Sequence, residues 1–184
     1  CFSDAQLTMN QKVSSPVDMP FAYAGNWVTF PKWQILDGAQ PANFGTSWFG
    51  ASATATMDPT TYALSGASSP GNISTSPIRG MFTQNLGFNP FTFDPAQYQA
   101  RIQQVSSWLD DVSLDYSKFI AKGGKMLMMH GSVDNSITGT TNLENWKRLI
   151  ATNGQATMDS FARFYYIPGM GHGSGQFYAT LDWL

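Results

Sequence analysis

Along the last ninety or so residues the chain alternates between two kinds of hydrophobic pattern. FDPAQYQARIQQVSSWLDD, residues 93–111, places Tyr98, Ile102, Val105 and Leu109 at helical spacing behind Asp94, an N-cap residue type, and Pro95 at a first helical position. The pattern predicts a helix over about 95–108. LDYSKFIAKGGK predicts a shorter helix stopped by Gly123 and Gly124, which can supply the left-handed conformation of a C-terminal cap. KMLMM then runs apolar without alternation, as a strand buried on both faces does. TTNLENWKRLIATNG sets Leu143, Trp146, Leu149 and Ile150 on one stripe and ends in Asn153 and Gly154, so a helix over about 140–152 is expected. FARFYYI, 161–167, reads as a second buried strand and FYATLDWL as a final helix.

From residue 117 the order is therefore α, β, α, β, α, the sequence of an α/β fold with a parallel sheet covered by helices. Residues 14–93 have a different texture. They are dense in Gly, Pro, Ser, Thr and aromatics, as in FAYAGNWVTFPKW, NFGTSWFG and SGASSPGNISTSP, and predict short strands and turns. The composition thus breaks the chain into an aromatic-rich segment, 1–93, and an α/β segment, 94–184.

Composition narrows the function classes. With 42% hydrophobic and 12% charged residues, the 184-residue chain buries a core and is not disordered. Its net charge of -2, with no basic stretch interleaved with aromatics, argues against nucleic acid as a partner. No apolar run approaches the roughly eighteen residues that cross a bilayer, so no membrane partner is expected. CFSDAQLTMN is not a secretory signal, and the expectation is that the chain starts downstream of its gene's start. Cys1 is the single cysteine and closes no disulfide within the chain; it is either an unpaired thiol or one whose partner lay upstream. Few lysines and many Ser, Thr, Asn and Gln fit a secreted or periplasmic protein.

In open parallel sheets, chemistry gathers beyond the carboxyl ends of the strands. Two loops leave such ends here: HGSVDNSI, with His130 and Asp134, and PGMGHGSG, with His172. A histidine base needs one ring nitrogen held by an acceptor so that the other faces the reacting group, and Asp134 can hold it. Glycines 169, 171 and 173 allow the second loop to turn sharply and place the imidazole at its tip. Singly, His172 reads as a surface residue of a Gly-rich loop and Asp134 as turn chemistry. The pairing of two such loops at successive strand ends is what favours an acid–base pair, with the carboxylate about 2.6 to 3.2 Å from the ring. His130, at the end of its strand, is expected to pack or hydrogen-bond locally. Two histidines without clustered Cys or Glu do not make a zinc site, and no metal or cofactor is expected.

SKFIAKGGKMLMMHGSVDNSI followed by FARFYYIPGMGHGSG resembles the C-terminal part of the tannase and feruloyl esterase family of α/β-hydrolases, in which one strand leads to an HGxxD loop and a later one to a PGMGHC loop. The resemblance is strongest over about 94–184, and the earlier half is similar only in texture to that family's lid domain. It implies hydrolysis of aromatic-acid esters through Ser, Asp and His, with Asp134 as the orienting acid and His172 as the general base. The chain departs from the family twice. No G-x-S-x-G or Cys-Ser pair is present, since GTSWF at Ser47 and GASSP at Ser68 lack the closing glycine. Gly173 also stands where the family has a cysteine disulfide-bonded beside the nucleophile.

Two strands buried on both faces cannot cover their own edges, which predicts further strands, and with them the serine, in a segment before Cys1. That segment would be a partner of the site and would hold the disulfide partner of Cys1, as family lids carry such bridges. If 1–93 is a lid, Trp33, Trp48, Phe49 and Phe82 are candidates for stacking on a small aromatic ester, although aromatics in a small irregular domain more often form its core. The competing reading is a non-catalytic binding module that kept the scaffold and lost the nucleophile.

Overall fold

A computed structural model describes residues 3–34, 56–65, 75–134 and 137–172. Cys1, Ser47, Trp48, Phe49, Ser68, Gly173 and the helix expected in FYATLDWL lie outside the described residues. Two compact units divide the chain: the described parts of 1–17, 30–40 and 112–184 form one, and those of 18–29 and 41–111 the other.

The first unit contains the parallel sheet. Helix α1, Asp4–Val13, is opened by a reciprocal capping box between Ser3 and Gln6. It buries no residue, which is why no apolar stripe announced it. Helix α3, Ser117–Ala121, closes as the sequence predicts: Gly123 adopts φ +71, the Gly123 amide donates to Ile120 O at 2.8 Å and the Gly124 amide to Phe119 O at 3.1 Å. These two bonds satisfy carbonyls that the helix end would otherwise leave unpaired.

Strand β5, Met126–Gly131, pairs in parallel with β6, Ala162–Ile167, from Met126 opposite Ala162 to Gly131 opposite Ile167. Between them run α4, Gly139–Asn153, and α5, Gln155–Phe161. They are separated by Gly154 at φ +82, a conformation that glycine adopts without strain. The core is built where these elements meet, from Leu149, Met158, Phe161 and Ala162, with Trp146, Ile150, Met126, Ile120, Tyr116 and Leu114 packed around it. Leu149, Trp146 and Ile150 are the expected stripe of α4. Phe161 ends α5 rather than opening the strand.

Met126 to Met129 are half-buried and not buried on both faces; only His130 and Gly131 at the strand's end are buried. Among the described residues this sheet has two strands, so each strand has one paired edge.

In the second unit, β1, Val17–Tyr23, pairs with β2, Trp27–Phe30, and β3, Thr56–Met57, pairs antiparallel with β4, Leu64–Ser65. These are the short strands the composition predicts. Helix α2, Gln99–Leu109, follows a 3-10 turn over Pro95–Tyr98 that Asp94 caps by accepting from the Ala96 amide at 3.0 Å. Ile102 and Val105 are buried, whereas Leu109 is 62% exposed, so the apolar stripe stops a turn before the helix does. The helix packs against the turn at 24–26 and against a π-type turn at Pro77–Phe82. It therefore groups with the aromatic-rich residues, and α1 with the sheet, a division different from the compositional break at 93/94.

Candidate active site

Strands β5 and β6 deliver their carboxyl ends side by side, and backbone hydrogen bonds join the loops that follow. The Ser132 amide donates to Ile167 O at 2.9 Å, the Val133 amide to Met170 O at 3.1 Å, and the Gly169 amide to Ser132 Oγ at 3.0 Å. Gly169 turns the second loop at φ +74. This stitching brings two residues thirty-eight positions apart into contact.

His172 Nδ1 lies 3.0 Å from Asp134 Oδ2. The carboxylate can only accept, so Nδ1 carries the proton, and in the neutral ring Nε2 holds the lone pair. Asp134 is 8% exposed and the His172 side chain 53%, so a buried acid orients an imidazole that solvent or a ligand can reach. The other carboxylate oxygen, Oδ1, accepts the Ile137 amide at 3.0 Å. That second anchor fixes the plane of the carboxylate.

His130 is buried and bonded locally, as expected from its position. Its Nε2 lies 3.0 Å from Ile137 O and 3.4 Å from Asp134 Oδ2, and its Nδ1 lies 2.8 Å from Asn142 Nδ2. Sequence reasoning missed Ile137 and Asn142 as partners of the site. A backbone amide carries no signature in the sequence, and Asn142 sits twelve residues from the ring it touches.

Of the aromatic candidates, Trp33 and Phe82 are described, and they belong to different units. Trp33 is half-buried, and its amide donates to Val13 O at 2.9 Å. The carbonyl of the preceding Lys32 accepts from Thr138 Oγ1 at 3.2 Å and Thr140 Oγ1 at 2.6 Å, while the following Gln34 accepts from the Tyr166 hydroxyl. The strap that carries Trp33 is thus fastened to the start of α4 and to β6. Phe82 stacks on Phe93 with centroids 6.0 Å apart, in a cluster that includes Phe88 and Tyr98. It is a packing residue of the second unit. Among the described residues no group of three or more His, Cys, Asp or Glu could hold a metal ion, and no helix is long and apolar enough to cross a membrane.

The fold is that of the α/β-hydrolase type. It matches the crystal structure of feruloyl esterase B from Aspergillus oryzae with a TM-score of 0.65 over 94% of this chain and 30% of that one, at 22% identity. The chain belongs to the tannase and feruloyl esterase family, which it matches over residues 1–184. It is 32% identical to feruloyl esterase C of Talaromyces stipitatus over 95 residues, which are 50% of this chain and 18% of that protein. It is 28% identical to an uncharacterized esterase of Agrobacterium fabrum over 108 residues, 57% of this chain and 20% of that protein. The matched region thus spans about a fifth of the length of these relatives.

Proposed function

We propose that this chain supplies the acid and the base of a Ser-Asp-His carboxylic-ester hydrolase acting on esters of aromatic acids. The observation that carries the reading is the 3.0 Å contact between buried Asp134 and exposed His172 at the ends of adjacent parallel strands. In the reaction, His172 Nε2 takes the proton of a serine hydroxyl as the serine oxygen attacks the ester carbonyl. Asp134 stabilises the imidazolium that forms, and backbone amides beside the serine hold the oxyanion. The proton then passes to the leaving alcohol as the C–O bond breaks. Water, activated by the same imidazole, releases the acid and restores the serine. General-base assistance of this kind contributes roughly 10²- to 10⁴-fold.

The serine belongs to a segment outside these 184 residues, since no G-x-S-x-G pattern occurs within them. The aromatic-rich segment acts as a lid, and Trp33 stacks on the planar acid. Names of relatives that specify feruloyl esters support the substrate class. A secreted or periplasmic location fits the composition.

The test is hydrolysis of an alkyl hydroxycinnamate by the full-length protein and its His172→Ala variant. The expected loss is about 10⁴-fold or more in kcat. Unchanged turnover in the variant would reject the reading. The 184-residue chain by itself is expected to give no turnover that His172→Ala removes, and such turnover would place the nucleophile inside it.

A further inference from the structure

His130 Nε2 lies 3.4 Å from the same Asp134 oxygen that His172 contacts, and its environment determines its proton. The ring is 9% exposed, so both nitrogens need matched partners. Nε2 faces two acceptors, Ile137 O at 3.0 Å and Asp134 Oδ2 at 3.4 Å, and must carry the hydrogen. Nδ1 is then an acceptor, and the Asn142 amide nitrogen at 2.8 Å donates to it. Gly139 closes the space beside the ring: a Cβ there would stand 2.8 Å from His130 Cδ2 and 2.6 Å from the Tyr166 ring.

From this arrangement we infer that His130 is a positioning residue for the Asp134–His172 pair, held in one tautomer by the acceptors at Nε2 and in one ring orientation by Asn142. The inference rests on the hydrolase reading above. Ile137 is gripped at both of its backbone polar groups, its carbonyl by His130 and its amide by Asp134 Oδ1. Without the Nε2 hydrogen Ile137 is held at one of its two backbone polar groups instead of both, its position relaxes, and the hydrogen bond from its amide to Asp134 Oδ1 weakens. Oδ2 then swings away from His172 Nδ1, and the base loses its orientation although no group that touches substrate has changed.

The test compares two amides at one position in the full-length protein. In His130→Gln the side-chain nitrogen can reach the place of Nε2, whereas in His130→Asn it reaches only the place of Nδ1. The expected result is kcat within about threefold of wild type for His130→Gln, against a loss of roughly tenfold to a hundredfold for His130→Asn with KM unchanged. Asn142→Leu leaves β5 intact and covers the case in which His130→Asn does not fold. It removes the hydrogen bond that orients the ring and is expected to lower kcat about threefold or more at constant KM and to shift the His130 Nδ1 resonance toward that of an imidazole nitrogen with no donor. Wild-type kcat in folded His130→Asn or Asn142→Leu, or equal losses in the Gln and Asn variants, would overturn the inference. His172→Ala measured alongside separates the two failures. If it is inactive while those variants run at full speed, only the positioning role falls; if it too is active, the hydrolase reading falls and the inference with it.

Discussion

A β-carbon on residue 131 would stand 2.1 Å from the carbonyl oxygen of Met170. Gly131 is therefore the point at which the loop of the acid and the loop of the base come within backbone contact. The obstacle is main chain, so it cannot rotate aside as a flexible side chain would. The same Met170 carbonyl accepts the Val133 amide, which leads directly into Asp134.

Gly131→Ala is accordingly expected to push the two loops apart. The predicted outcome is a loss of about 1–3 kcal/mol of stability, read by denaturant unfolding, together with a larger fractional fall in kcat than in 1/KM. Wild-type stability and turnover would show that the loops do not depend on this approach.

Asp134→Asn keeps the shape of the acid and removes its charge. The amide can present its NH₂ to His172 Nδ1 and favour the tautomer with the proton on Nε2, which leaves no lone pair toward the hydroxyl. The full-length protein is expected to lose roughly 10³- to 10⁴-fold in kcat with little change in KM. Circular dichroism would establish that the fold is retained.

Trp33 and Phe82 separate a substrate contact from a packing residue. Phe82 lies in a stack with Phe93, so Phe82→Ala is expected to lower stability by about 2–4 kcal/mol and to change KM little in the protein that remains folded. Trp33→Ala is expected to raise KM severalfold while the melting temperature falls by less than for Phe82→Ala. Equal KM values for Trp33→Ala and wild type would remove Trp33 from the substrate site.

Asp115 gives a prediction in pH. The Ser117 hydroxyl and then the Ser117 amide, the latter bonded at 2.9 Å, hold its carboxyl below the ordinary carboxylate value, with Lys118 adding a smaller attraction. A carboxyl whose folded value is depressed contributes stability above its unfolded value, about 3.9. The contribution fades as pH falls through the folded value. Asp115→Ala should therefore melt below wild type at pH 7, and the difference should vanish as the acid limit is approached. A difference independent of pH would mean that the charge of Asp115 does not anchor the start of α3.

The sequence by itself determined several of the elements and the candidate pair, although neither α1 nor α5 was announced by its pattern. The helix stops at Gly123 and Gly154, the Asp94 cap, the apolar stripe of α4 and the two strands of the parallel sheet are local, because each depends on propensity and spacing within one or two turns of chain. Asp134 and His172 could be named because each sits just past an apolar strand. The tertiary structure decided what those residues touch. Ile137, Asn142 and the Met170 carbonyl reach the site through strand pairing and loop closure, and nothing in their own neighbourhoods marks them. It also decided that α2 packs with the aromatic-rich residues and that Phe82 belongs to a stack, since an apolar face in a sequence specifies that it will be buried but not against what.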